Sequence, residues 1–99
     1  MNDPCVCSLD DQELTERERW LAPFAAGAES AADLEDGFEL RFGGTWGARL
    51  LELIERERAC CTSLVFELRF EPDAGPITLR CRGDAAATGF LRARLAPTR

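Results

Sequence analysis

Leu64-Val65-Phe66-Glu67-Leu68-Arg69-Phe70-Glu71 sets Leu64, Phe66, Leu68 and Phe70 against Val65, Glu67, Arg69 and Glu71. Side chains alternate across a β-strand, so this period of two predicts a strand with one apolar and one wet face. Pro72-Asp73-Ala74-Gly75-Pro76 follows, a run of turn formers. Ile77, Leu79 and Cys81 then alternate with Thr78, Arg80 and Arg82 in a second strand. The two strands and their five-residue loop read as a β-hairpin.

Upstream, the spacing predicts a helix from Trp46 to Cys60, with Thr45 as its cap. Trp46, Leu50, Leu51, Leu53 and Ile54 form the apolar side, and Arg49, Glu52, Glu55, Arg56 and Arg58 the wet one. Before it, Phe38-Glu39-Leu40-Arg41-Phe42 alternates as a strand, broken by Gly43-Gly44. Gly27 to Asp36 reads as an acidic, alanine-rich connection.

A first helix is expected from Leu9 to Ala26, capped by Ser8, with Leu14, Trp20, Leu21 and Phe24 as its apolar stripe. Pro23 should kink or end it near Ala22. A last helix runs from Ala85 to Leu95, capped by Asp84 and closed by Pro97. Residues 1–7 read as a flexible lead. The order α-β-α-β-β-α predicts one α+β domain over residues 1–99. Helices should cover one face of a three-stranded mixed sheet of split βαβ type.

The chain has 99 residues, a net charge of −6, twelve arginines and no lysine. Nucleic acids and anionic membrane surfaces demand positive faces, so neither is an expected partner. No apolar run has membrane-spanning length, and the N-terminus has no signal-peptide pattern, so a cytoplasmic location is expected. Thiols stay reduced there.

The chain has five cysteines and no histidine. Imidazole catalysis and histidine-ligated zinc are thereby excluded, and no enzymatic activity is expected. At 100° per residue, Cys60 and Cys61 each fall about 20° from Leu53 and Ile54 two turns earlier. Both sulfurs should therefore face the protein, with Glu57 on the side of Cys61. The negative end of the helix dipole disfavours a thiolate there unless a cation compensates. Cys5-Val6-Cys7 forms a second cluster, in which Cys7 is better fixed by the first helix. Cys81 alternates into the core.

Soft sulfur donors select Hg(II), Zn(II) or Cu(I) over harder ions. Cys7, Cys60 and Cys61 are the expected metal ligands, with Cys5, Glu57 or water as a fourth donor. No organic cofactor is expected. Two other readings remain: a thiol redox sensor, and an interaction module whose cysteines are structural and whose acidic face or sheet edge binds a partner or a second copy.

Glu57-Arg58-Ala59-Cys60-Cys61-Thr62-Ser63-Leu64-Val65-Phe66-Glu67-Leu68 resembles the E-R-x-C-C-x-F-x-x-F-x-L motif of small bacterial proteins. It is similar to the C-terminal extension of some MerR-type, metal-responsive transcription regulators. Cys7-Ser8-Leu9 before the first helix fits the same pattern. Those relatives often carry proline and phenylalanine where this chain has Thr62 and Ser63. The resemblance implies heavy-metal binding, mercury first, at Cys60 and Cys61 with Cys7 as third ligand. It implies a scavenger or sensor module without a DNA-reading part.

Overall fold

A computed structural model of the chain describes residues 11–96. Its elements are α1 (Asp11–Gly27), β1 (Ser30–Leu34), β2 (Gly37–Phe42), a 3-10 turn (Gly44–Trp46), α2 (Gly47–Cys60), β3 (Val65–Phe70), β4 (Ile77–Arg82) and α3 (Ala85–Leu95). The class is α+β, as the order of elements predicts.

The sheet has four strands in the order β1-β2-β4-β3, and every neighbouring pair is antiparallel. This corrects the expected three-stranded mixed sheet. Strands β2 and β3 run the same way, but β4 lies between them, so no parallel ladder forms. The fourth strand, β1, occupies part of the expected 27–36 connection. It forms a tight hairpin with β2 across Glu35-Asp36 and pairs Ala31 with Leu40 and Asp33 with Phe38. Gly37 begins β2 because the β4 backbone is too close for a side chain: an added Cβ would stand 1.9 Å from the Cys81 carbonyl oxygen.

Phe38, Leu40 and Phe42 of β2 and Ile77, Leu79 and Cys81 of β4 are buried on one face. They join Leu21 and Phe24 of α1, Leu50 and Leu53 of α2, and Leu91 and Leu95 of α3 in one core cluster. The other face carries a lattice of ion pairs, with Arg80 on Glu39 at 2.8 Å and Arg82 on Glu67 at 2.9 Å. Helices on one face and charge on the other follow directly from the period-two pattern.

Three local expectations change. Helix α1 continues through Pro23 to Gly27. The proline is exposed, so the carbonyl it leaves without a helical donor faces water, and buried Phe24 and Ala25 hold the last turn on the core. Thr45 lies in the 3-10 turn and does not cap α2, whose N-cap is Trp46 with no side-chain bond. Leu51 is exposed, because the buried stripe of α2 is Leu50, Leu53 and Glu57. Asp84 does cap α3, accepting from the Ala87 amide at 3.1 Å. The expected Ser8 cap lies outside the described residues.

Candidate thiol site at the end of the middle helix

The stripe Leu50-Leu53-Glu57 of α2 continues one turn further to Cys61. Helical spacing thus carries a carboxylate and a sulfur into the core side by side. On α1, Arg17 precedes Leu21 and Phe24 by four and seven residues and shares their buried face. The two helices therefore bring opposite charges together inside the protein.

The Arg17 Nη2 donates to Glu57 Oε1, and both side chains are buried. The same Nη2 lies 3.4 Å from Cys61 Sγ. Across the guanidinium, the Phe90 ring of α3 sits 4.6 Å from Arg17 Cζ. A buried carboxylate needs such a partner, because desolvation alone is prohibitive. Arg17 is also the cation that the end of α2 requires if negative charge is to rest on sulfur.

Cys61 is 1% exposed and disulfide-bonded. Its partner is neither Cys60 nor Cys81, which carry thiols. The other two cysteines of the sequence, Cys5 and the expected ligand Cys7, lie outside the described residues. Cys60 is half-buried in a shallow cleft of about 220 Å³ with Glu16, Arg17, Trp20, Arg56 and Glu57. Arg56 Cζ stands 4.3 Å from the Trp20 ring centre at this cleft. A larger cleft, about 440 Å³, lies between the β1–β2 turn and α3 and has no cysteine in its lining.

Cys81 is fully buried between Phe38 and Phe66 on the neighbouring strands. Burial pushes its thiol up to about 12, and the negative charge of Glu57 adds to the effect. Cys81 is therefore a packing residue, as its strand position predicts.

The expected neighbours Cys61 and Glu57 do share one site, with Cys60 at its rim. Among the described residues, however, no group of three or more Cys, Asp or Glu side chains is arranged to hold a metal ion. Glu57, the expected alternative fourth donor, is engaged by Arg17 through Oε1. Sequence reasoning missed Arg17. Its signal was the single charge on the Leu21–Phe24 face, matched by Glu57 on the facing stripe of α2.

The chain matches no protein-family model, no curated protein and no solved structure at a significant level. No helix among the described residues is long and apolar enough to cross a membrane.

Proposed function

We propose that the chain binds a thiophilic metal ion, Hg(II) first and Zn(II) or Cu(I) as alternatives, as a scavenger or sensor module. Cys61 is the central ligand, Cys7 supplies the second sulfur, and Cys60 stands at the rim as a third donor. The observation that carries this reading is the disulfide at Cys61, which means that a second sulfur reaches it. Reduction would release both as donors at one point. Arg17 Nη2, 3.4 Å from Cys61 Sγ, places a hydrogen-bond donor beside that sulfur. The likeness of Glu57–Leu68 to the E-R-x-C-C motif points the same way.

The test is a competition titration of reduced protein with Hg(II) and Zn(II), repeated on Cys7→Ser, Cys60→Ser and Cys61→Ser. Loss of Cys61 or Cys7 should weaken binding by more than the ~10–100-fold typical of losing a residue that only supports a ligand. Unchanged affinity in Cys61→Ser would overturn the proposal.

The same disulfide also favours a redox sensor, since a sulfur beside a guanidinium is a suitable thiolate. Alkylation rate against pH separates the two. A thiol that reacts rapidly at acidic pH, in a protein that does not retain metal, selects the sensor.

A further inference from the structure

The segment Phe-Glu-Leu-Arg-Phe occurs twice, as Phe38–Phe42 in β2 and as Phe66–Phe70 in β3. The two copies flank β4 in the same register. Phe38 and Phe66 both face Cys81, Glu39 and Glu67 both face Arg80, and Leu40 and Leu68 both face Leu79. They differ on their outer sides. The outer edge of β2 is filled by β1, whereas among the described residues β3 ends the sheet. The same sequence thus accepts a further strand in one copy and, among the described residues, has none in the other.

The two sheet edges are built differently. At the β1 edge, Asp33 lies on the core face opposite Phe38 and is held by Arg92 at 2.8 Å. An inward-pointing charge on a short strand is a known block to edge pairing. The β3 edge has no such block. Its six residues pair with β4 without a bulge, and Phe66, Leu68 and Phe70 lie on its core face. Among the described residues, Val65 and Phe70 are two of the three exposed large apolar side chains, at 56% and 55%. The third, Leu51, lies one turn along α2 from Gly47, where an added Cβ would stand 3.0 Å from Phe70 Cε2. Two of these three exposed apolar side chains thus belong to the β3 edge strand itself.

We propose that β3 pairs antiparallel with β3 of a second copy, about a two-fold axis at Leu68, and so joins two sheets into one. Phe-Glu-Leu-Arg-Phe is self-complementary when read against itself in reverse. With Leu68 opposite Leu68, Glu67 of each copy faces Arg69 of the other, and Phe66 faces Phe70. A two-fold axis normal to the sheet keeps each face on its own side, so only residues of equal parity can meet. Shifting the axis to residue 67 sets Glu67 against Glu67, and shifting it to residue 69 sets Arg69 against Arg69. Like charges directly opposite destabilise a sheet, and axes at residue 66 or 70 overlap three strand residues or fewer, so the Leu68 register is selected. Arg69 is 75% exposed and pairs with Glu71 at 2.7 Å, and Glu67 is 52% exposed and pairs with Arg82 at 2.9 Å, so pairing across the edge exchanges or shares these surface partners and unfolds nothing.

The test is sedimentation velocity of the full chain across a concentration series, with reductant present so that intermolecular disulfides do not contribute. Wild type should sediment as a species of twice the chain mass and dissociate on dilution. Arg69→Glu and Glu67→Arg should each weaken that dimer on the order of tenfold or more, since both interfacial charge pairs become repulsive. Circular dichroism of each variant should match wild type. Mixing the two variants should restore association, because every pair across that heterodimer is again opposite in charge. A wild type that stays monomeric at all concentrations overturns the proposal. So does a mixture of the two folded variants that associates no better than either alone.

Discussion

Removing the charge of Arg17 should destabilise the protein more than any surface change. Arg17→Met keeps most of the side-chain volume beneath Phe90 but deletes the donor to Glu57 and the contact at 3.4 Å with Cys61 Sγ. Glu57, only 2% exposed, is left as a buried charge without its cation. Breaking a buried pair in this way costs about 3–5 kcal/mol. A domain of this size has a total stability of about 5–15 kcal/mol, so the loss is a large share of it. The midpoint of thermal unfolding should fall by at least roughly 12 °C. Glu57→Gln retains an acceptor for Arg17 and should lose less, about 1.5–3 kcal/mol. The double variant Arg17→Met, Glu57→Leu removes both charges and fills the space with hydrocarbon, so it should recover most of the loss. Urea unfolding at one fixed redox state, followed by the fluorescence of Trp20 and Trp46, measures all four proteins. A loss under about 1 kcal/mol in Arg17→Met would refute the reasoning. So would a double variant that is no more stable than Arg17→Met alone, because removing the stranded carboxylate would then relieve nothing.

Two further outcomes follow from single residues. Cys81 has its thiol raised from 9.0 to about 12 by burial and by Glu57. Below pH 9 both folded and unfolded chains keep the proton, and above it only the folded chain does. Stability should therefore fall between pH 9 and about 12, by up to about 1.4 kcal/mol per pH unit from this group. Cys81→Ala should remove that slope while lowering stability below pH 9, so the gap to wild type narrows above pH 9, as urea midpoints on either side of pH 9 will show. Asp84→Ala deletes the bond to the Ala87 amide at 3.1 Å and should cost about 1 kcal/mol. Asp84→Asn should retain most of it in the same assay.

Strands β2, β3 and β4 were legible because each sets bulky apolar residues against charge at a period of two. Strand β1 was not, because an edge strand buries little. Ala31 and Ala32 make no apolar contrast, and Asp33 breaks the alternation on the very face that meets Phe38. The mixed sheet was expected because strand–helix–hairpin order implies a crossover, and the crossover is there. What local pattern could not show is that β4 enters between the two parallel strands. Helical phase placed Glu57 beside Cys61 correctly. It could not reveal Arg17, since pairing across 40 residues is a tertiary fact, although a lone charge on each of two apolar stripes was the trace it left. The repeated pentapeptide is plain in the sequence, yet its meaning depends on a register that only the sheet supplies.

In the proposed function Cys61 and Cys7 jointly hold one soft ion. Reduced protein treated with one equivalent of Hg(II), then alkylated and mapped by mass spectrometry, tests it most directly. Cys61 and Cys7 should be protected together, and protection should vanish in Cys61→Ser. Alkylation of Cys61 at the rate of the metal-free protein would contradict the account.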